Sequence, residues 1–288
     1  MAFTAADVKK LREMTDCGMM ECKKALTDAD GDMDKAVEIL REKGLATAAK
    51  KAGRVAAEGV CAAYVSPDGA CAGLVEVNIE TDFAANNADF RAFAADLAKL
   101  VAEKDPADMD AFMAMELVPG KSVEDVRKEK VATIRENMQV RRFARYAGGK
   151  TVSYIHMGGK IGVLVDMTGG DEELGKDVAM QIAAAAPMAV DRDGVDASAL
   201  EHEKEVLRKQ AEEEGKPANI IERMVEGRIN KFYKEVCLNE QIFVKDSEKT
   251  IKDVLGDVKV TEFTRFQLGE GIEKKQDDFA AEVAAQLK

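Results

Sequence analysis

The sequence contains no tryptophan, and only 5% of its 288 residues are aromatic. Most of the core must therefore be built from Ala, Val, Leu, Ile and the 14 methionines. No apolar run approaches the roughly 20 residues that a membrane-spanning helix needs. The first residues resemble a polar helix, and no signal peptide is expected. These features predict a cytoplasmic protein of about two domains with no membrane partner.

Metal-binding and disulfide patterns are also lacking. The chain has two histidines, His156 and His202, and neither has a cysteine at ligand spacing. Its five cysteines are odd in number and form no Cys-x-x-Cys pair. The thiols are therefore expected to be reduced, and no metal site is expected.

Basic residues are fewer than acidic ones, so the protein is acidic: its formal net charge is -12 and its pI is near 4.9. Nucleic-acid binding needs clustered Lys and Arg, so no direct nucleic-acid partner is expected. Two segments imitate a phosphate-binding loop, Gly149-Lys150-Thr151 and Gly120-Lys121-Ser122. Both lack the first glycine of the motif, because positions 144 and 115 are Ala and Met. With no catalytic motif and no cofactor site, the sequence favours a binding or regulatory protein.

Residues 1–45 are predicted to form a docking module of three short helices. Thr4 caps the first helix, with Asp7 in capping-box register. Asp32 is the predicted N-cap of the third helix, and Gly44 its predicted C-cap. The apolar stripe of the first helix is predicted to contain Val8, Leu11 and Met14.

Two adjacent methionines, Met19 and Met20, follow a glycine at the start of the second helix. Both cannot face so small a core. One interpretation places one of them in the core and leaves the other as a harmless exposed side chain. The other makes them a flexible apolar contact for a partner, with Arg12, Lys23 and Lys24 in a charged rim.

The segment from Val75 to Phe83 is the most informative in the chain. Its first five residues alternate apolar and polar side chains, which predicts a strand. A polar turn, Thr81-Asp82, follows, and Phe83 comes next, with only small or polar residues after it. Either Phe83 folds back into the core, or a rigid strand end presents it to a partner as an anchor.

Residues 162–167 repeat the pattern of residues 73–78. Each segment is a hairpin strand followed by a polar turn and an amphipathic helix, which indicates an internal duplication. The second copy ends on Thr168-Gly169-Gly170 and has no counterpart of Phe83. A phenylalanine required by the shared fold should recur, so its absence favours a functional role for Phe83.

The predicted fold class is α+β. Its parts are the docking module, a linker at 46–57, two α+β subdomains with antiparallel sheets at 58–147 and 148–272, and a C-terminal helical module at 273–288. A helix capped by Ser122 is predicted to extend as far as Met138. Residues 241–245 and 260–268 are predicted to complete the second sheet, and residues 277–288 to form a short helix.

Residues 198–236 are predicted to form an inserted antiparallel coiled-coil hairpin. Ser198 and Glu201 are in capping-box register, and Gly215 marks the turn. The hairpin is either a solvated support or an arm for self-association or docking. The first apolar seam contains Leu200, Leu207 and Ala211. The returning seam contains Ile221, Val225, Ile229, Phe232 and Val236.

Several motifs together resemble the bacterial elongation factor Ts family over nearly the whole chain. The two most specific are Arg12 to Leu26 and Val75 to Phe83. The family usually has Thr-Gly-Ala-Gly where this chain has Thr15-Asp16-Cys17-Gly18, which alters the turn before the methionines. Further matching segments are Ile161 to Val165, Met224 to Arg228 and Gly269 to Glu273.

The resemblance implies a guanine-nucleotide exchange factor for elongation factor Tu, with a ubiquitin-associated-like N-terminal module and no catalytic chemistry of its own. Such a factor disturbs the magnesium and phosphate site of its partner, so that GDP leaves and GTP can bind. The resemblance is also compatible with a homodimer of this chain within a larger complex. The implied partner-binding positions are Arg12, Met19, Met20, Lys23, Thr81, Asp82, Phe83, Ile134, Arg135, His156 and Val244.

Two other functions compete with exchange. One is a general adaptor that joins a docking module to a dimerisation domain. The other is an enzyme whose site has no recognisable motif, which the failed motif search disfavours. An adaptor has no use for an exposed aromatic at a strand end.

Overall fold

The computed structural model describes residues 3–15, 17–215 and 217–273. They form a mixed helix-and-sheet, or α+β, structure, as predicted. Asp16, in the altered turn, and the predicted C-terminal helix at 277–288 lie outside the described residues. The C-terminal module limits of 273–288 also fall almost wholly outside them.

The chain divides into two compact units. The first comprises the described parts of Met1–Ala62, Val75–Phe143 and Gln267–Lys288. The second comprises those of Ala63–Leu74 and Ala144–Phe266. The domain limits drawn from the sequence remain a prediction.

Three helices open the first unit: α1 (Ala5–Thr15), α2 (Met19–Asp28) and α3 (Met33–Lys51). The cap at Thr4 is confirmed, since Thr4 N–H and Asp7 N–H donate to each other's side-chain oxygens. Asp32 caps α3 by accepting from Lys35 N–H. Met14 is 55% exposed, so its assignment to the core stripe is wrong. The core of this bundle contains Val8, Leu11, Cys22, Ala25, Leu26, Ala36 and Leu40.

The predicted C-cap at Gly44 is also wrong, because α3 continues to Lys51. A glycine inside a helix costs only about 1 kcal/mol relative to alanine, and the Ala-rich segment that follows favours helix. A Cβ added at Gly44 would lie 3.0 Å from the Cβ of Ala132. Gly44 therefore permits close helix packing and does not end the helix. The first six residues of the predicted 46–57 linker are helical.

The sequence Ser66-Pro67-Asp68-Gly69 predicts a hairpin turn. The structure confirms the hairpin, with strands β1 (Glu58–Val65) and β2 (Cys71–Ile79). The next elements are α4 (Asp82–Ala85), α5 (Ala88–Lys104), α6 (Met109–Ala114), β3 (Glu116–Val118), β4 (Lys121–Ser122), α7 (Val123–Ile134) and β5 (Met138–Ala147). Strand order in the sheet is β1-β2-β5. The predicted helix through Met138 is wrong, since α7 ends at Ile134 and Met138 begins a strand.

The second unit carries another three-stranded sheet. It is built on the antiparallel hairpin of β6 (Lys150–His156) and β7 (Ile161–Met167), which is followed by α8 (Glu172–Ala185). Its buried core contains Val152, Val163, Val165, Met167, Val178, Ala179 and Ile182.

A helical hairpin is inserted after α8, as α9 (Ala197–Glu213) and α10 (Ala218–Val236). The helices pack through Leu207, Ala211, Ile221, Val225 and Ile229, as the apolar seams predicted. The N-cap is Asp196 and not Ser198, because Asp196 accepts from the N–H groups of Ser198 and Ala199. No helix in the described ranges is both long and apolar enough to cross a bilayer.

The last elements are β8 (Ile242–Phe243), β9 (Asp246–Thr250), α11 (Ile251–Leu255) and β10 (Val260–Gln267). Strand order in the sheet is β10-β7-β6, so β10 completes it as predicted. The segment 241–245 does not, since β8 pairs with β9 in a separate two-stranded ribbon.

Candidate functional site

Phe83 projects from a single turn of helix just beyond β2. The strand ends at Ile79, and Thr81 caps α4 by accepting from Ala84 N–H at 3.2 Å. Phe83 is 87% exposed, the largest fraction among the large apolar side chains described. The core interpretation of Phe83 is therefore wrong. The side chain stands on the first turn of α4 and not on the strand end itself.

A carboxylate from a distant part of the first unit holds the start of this turn. Glu136 accepts two hydrogen bonds from Thr81, one from its N–H at 2.9 Å and one from its hydroxyl at 2.7 Å. Asp82, the first residue of α4, is exposed beside Phe83. Its negative charge at a helix start is electrostatically favourable. The turn thus offers a partner one large apolar ring and one carboxylate.

Two exposed methionines lie at the start of α2. Met19 is 53% exposed and Met20 is 73% exposed, so neither belongs to the core. Met14, at 55% exposure, adds a third such side chain at the end of α1. We call Met19 and Met20, which are adjacent at the start of α2, the methionine face. Flexible, polarisable thioethers of this kind adapt readily to a partner surface.

Charged residues flank the methionine face. Arg12 and Lys23 are both exposed. Glu21, in the first turn of α2, accepts from Gly18 N–H at 3.3 Å and pairs with Arg135 at 2.8 Å. Exposure of both methionines excludes a core position for either, and the charged rim at Arg12 and Lys23 stays a prediction.

Residues 135–137, which we call the junction, connect these features within the first unit. Arg135 caps the end of α7 in the left-handed region, with φ of 66°. Its side chain reaches Glu21 on α2, while Glu136 reaches Thr81 at the start of α4. The backbone N–H of Asn137 donates to the Glu80 carboxylate at 2.6 Å. The side-chain amide of Asn137 donates to the Arg54 C=O at 2.7 Å. One tripeptide therefore tethers both the helix of Met19 and Met20 and the turn of Phe83.

Ile134 precedes the junction and is half-buried. It lines a groove of about 290 Å³ together with Met14, Val37, Leu40 and Val126. The groove has apolar and charged walls, since Arg41, Lys128 and Glu129 also border it.

His156 and Val244 belong to the second unit. His156 ends β6, where its Nδ1 lies 3.1 Å from the Tyr154 hydroxyl, and it is half-buried. Val244 is 50% exposed and donates its N–H to Gln181 at 2.9 Å. Ile155 and Met157, beside His156, are 39% and 71% exposed. Neither of these two exposed apolar neighbours was predicted from the sequence.

The first unit's site offers contact surface and no recognisable reaction chemistry. Burial raises the pKa of the Cys22 thiol, which makes it a poor nucleophile. Among the described residues, no three His, Cys, Asp or Glu side chains come together as a metal site requires. Apolar anchors on short, capped helices suit recognition of another protein.

Comparison with known proteins agrees with these features. Residues 80–270 match the model of the family described as "Elongation factor TS". The chain is 52% identical to elongation factor Ts of Alkalilimnicola ehrlichii over 292 residues, covering 100% of this chain and 99% of the relative. It is 52% identical to the same factor of Halorhodospira halophila, with 100% and 99% covered. It is 51% identical to that of Clostridioides difficile, with 99% of each covered. Since the family model spans most of the chain and the relatives align over their full length, the chain belongs to the elongation factor Ts family.

Proposed function

We propose that this chain is a guanine-nucleotide exchange factor for elongation factor Tu in translation elongation. It binds the GDP-bound partner and disturbs the partner's magnesium and phosphate site, so that GDP leaves and GTP binds. The observation that carries the proposal is Phe83, which is 87% exposed on a turn held by Thr81 and Glu136. Family membership supplies the identity of the partner.

Exposure of Phe83 favours a role in binding. A large aromatic in water loses the roughly 1.5–3 kcal/mol that burial would give it. Covering it with a partner recovers that free energy, and Asp82 beside it can accept hydrogen bonds at the same contact. We propose that Phe83 and Asp82 together form the wedge that distorts the nucleotide site.

The methionine face has a separate role in this proposal. It docks α2 on the partner, with Arg12 and Lys23 as its charged rim. Because Arg135 joins α2 to the junction, docking there places the wedge at a fixed distance from the contact. The proposed binding positions are Arg12, Met19, Met20, Lys23, Thr81, Asp82, Phe83, Ile134, Arg135, His156 and Val244.

Exchange then follows from competition between two ligands of one partner. If the chain binds the distorted, nucleotide-free partner best, GDP and the chain weaken each other's binding by the same factor. Such a protein needs no catalytic group. Its action is a shift of the partner's conformational population.

The finer architecture is part of the same proposal. The three N-terminal helices form a ubiquitin-associated-like module, and α9 and α10 form a coiled-coil finger. The core consists of two duplicated subdomains with limits near 58–147 and 148–272. We further propose that the protein acts in the cytoplasm, with elongation factor Tu as its main partner and a homodimer as a further assembly.

The decisive experiment mixes the chain with elongation factor Tu loaded with fluorescent GDP and follows release by stopped flow. Release accelerated in proportion to added chain supports exchange. Stable binding without accelerated release indicates an adaptor, and absence of binding rejects the partner. Bovine serum albumin at equal concentration controls for nonspecific protein effects.

A further inference from the structure

The direction of the Phe83 ring is set by backbone and not by packing. At 87% exposure the ring has almost no side chain to hold it. Within α4, the two residues that follow Phe83 are buried: Ala84 is 9% exposed and Ala85 is 4% exposed. A four-residue helix is too short to be stable alone, because nucleation is costly. The direction of the Phe83 side chain is therefore set by the hydrogen bonds that hold the two ends of α4.

The anchor at the start of α4 is a chain of hydrogen bonds that ends on a carboxylate. The Thr81 hydroxyl donates to Glu136 Oε1 at 2.7 Å and accepts from Ala84 N–H at 3.2 Å. Glu136 Oε2 accepts from Thr81 N–H at 2.9 Å. A charged acceptor polarises the hydroxyl it receives from, which strengthens that hydroxyl as an acceptor in turn. Glu136 thus fixes the cap residue at two atoms and reinforces the cap itself.

The anchor at the end of α4 is local by comparison. Asn86 donates from its side chain to Asp82 C=O at 3.0 Å and accepts from Arg91 at 2.9 Å. Glu136, in contrast, lies 55 residues from Thr81. It also adjoins Arg135, whose partner Glu21 lies two residues from Met19. Only the anchor at the start relates Phe83 to the methionine face.

From this geometry we infer that Glu136 is a positioning residue for nucleotide exchange. It does not touch the partner in this mechanism. It orients the turn that carries Phe83 relative to the methionine face, and so it controls how far a docked chain distorts the nucleotide site. The inference rests on the proposed exchange function and adds to it a residue that acts through Phe83.

The first test measures GDP release from elongation factor Tu by the Glu136→Ala variant across chain concentrations. We expect the saturating release rate to fall by at least about tenfold, because two hydrogen bonds to a charged group are lost and the turn that carries Phe83 is no longer held. The concentration for half-saturation should change less than about twofold, because the methionine face is intact. In a Phe83→Ala background, Glu136→Ala should have no further effect on the rate, since the side chain it orients is gone.

Two further variants separate positioning from loss of stability. Glu136→Gln keeps a carbonyl oxygen for Thr81 and should recover part of the rate. Glu103→Ala removes an exposed glutamate whose ion pair with Lys99 is 3.9 Å long, and it should leave release unchanged. Additive effects of Glu136→Ala and Phe83→Ala, or a change confined to half-saturation, would overturn the inference.

Amide hydrogen exchange tests the inference without the partner. Glu136→Ala should speed exchange at the amides of Ala84, Ala85 and Asn86, which α4 protects, while the amides of α5 stay unchanged. Unchanged exchange at α4 would reject Glu136 as its anchor. If the parent chain does not accelerate GDP release from elongation factor Tu, the proposed exchange function is rejected. Faster amide exchange at α4 would still establish the structural role of Glu136 in that case.

Discussion

Phe83 and Phe90 are seven positions apart in the chain and differ completely in environment. Phe83 is 87% exposed, whereas Phe90 is 0% exposed in the core of the first unit. Under the proposed function, the same type of side chain contributes to binding at Phe83 and to folding at Phe90. This contrast allows a substitution at each site to be interpreted separately.

Phe83→Ala should leave stability nearly unchanged, since surface substitutions usually fall within about 0.5 kcal/mol. The same change should slow release of GDP from elongation factor Tu by about 10- to 100-fold, the equivalent of losing roughly 1.5–3 kcal/mol of apolar burial. Stopped-flow release and thermal unfolding measure the two effects. The matched control, Phe90→Ala, should cost about 3–5 kcal/mol of folding free energy. A normal release rate for Phe83→Ala would remove this residue from the mechanism.

Met20→Ala should weaken docking and leave the saturating release rate unaltered, because Met20 lies on α2 and not on α4. If Met20 is one of the minority of contact residues whose truncation costs more than about 1 kcal/mol, the dissociation constant should rise about fivefold or more. Calorimetric titration against nucleotide-free elongation factor Tu measures the affinity. Met20→Leu preserves most of the apolar area and is expected to bind as the parent chain does. Equal affinity for Met20→Ala would show that Met20 is a bystander.

The sequence predicted the exposed residues better than it predicted what holds them. Small polar neighbours after Phe83, and the adjacent pair Met19 and Met20, marked side chains that a core could not accommodate. Met14 was wrongly placed in the core because its spacing fits the apolar stripe of α1. Glu136 carried no signal at all. Its role depends on Thr81, 55 residues away, and no local pattern encodes that contact.

Helix packing in the first unit depends on a glycine within α3. Gly44→Ala adds helix propensity worth about 1 kcal/mol. It also forces a new Cβ to within 3.0 Å of Ala132, an overlap of a kind that typically costs about 1–3 kcal/mol. The expected net effect is a loss of about 1 kcal/mol in the free energy of unfolding, measured by denaturant titration.

The double variant Gly44→Ala/Ala132→Gly exchanges the two side chains and should restore most of the stability. Gly227→Ala is the matched control, because a Cβ added there on α10 meets nothing within 4 Å. It should stabilise by about the helix propensity difference of 1 kcal/mol. Stabilisation by Gly44→Ala alone would mean that α3 and α7 separate without cost.

Three helices begin with reciprocal capping boxes whose third helical residue is aspartate. The pairs are Thr4 with Asp7, Ser122 with Asp125, and Thr250 with Asp253. Hydrogen bonds from the cap residue lower the pKa of each aspartate below its ordinary value of 3.8. The stabilising contribution of each box is therefore complete above pH 3.8 and is lost as the pH falls through the lower folded-state pKa.

Acid titration followed by NMR should show this transition at Ser122 N–H, which donates to Asp125 at 3.1 Å. The amide resonance should move below pH 3.8 and stay constant above about pH 5, with Arg41 at 4.0 Å adding to the downward shift of the Asp125 pKa. Asp125→Asn cannot ionise and should abolish the titration at Ser122. A midpoint above pH 3.8 would contradict the assigned hydrogen bonds.

Helices and strands were predicted correctly where a short segment carries its own apolar periodicity or turn sequence. Prediction failed at β5, which has neither. The turn residues Ser66–Gly69 predict the β1-β2 hairpin, and the helical spacing of Phe90, Phe93 and Leu97 predicts α5. Strand β5 contains Arg141 and Arg142, which break its apolar alternation. Both arginines pair with Glu76, which is fully buried on β2, at 3.0 and 2.6 Å. A charged strand stabilised by a carboxylate some 65 residues away cannot be recognised from its own sequence.

On the scale of the whole molecule, the exchange proposal makes a thermodynamic demand that no adaptor meets. Adding the chain must weaken GDP binding to elongation factor Tu, and adding GDP must weaken binding of the chain by the same factor. Coupling of this kind typically amounts to about 5- to 150-fold. The factor is a property of the complete complex, since both ligands act on one conformational equilibrium of the partner.

Two titrations measure this factor independently. In one, the dissociation constant of fluorescent GDP is determined at rising chain concentration. In the other, the dissociation constant of the chain is determined at rising GDP concentration. We expect the two factors to agree, and Phe83→Ala to reduce both together, because the wedge is what distinguishes the distorted partner from the GDP-bound form. Factors of one in both titrations would make this chain a docking protein without exchange activity, and a Phe83→Ala variant that retained the full factor would place the coupling elsewhere on its surface.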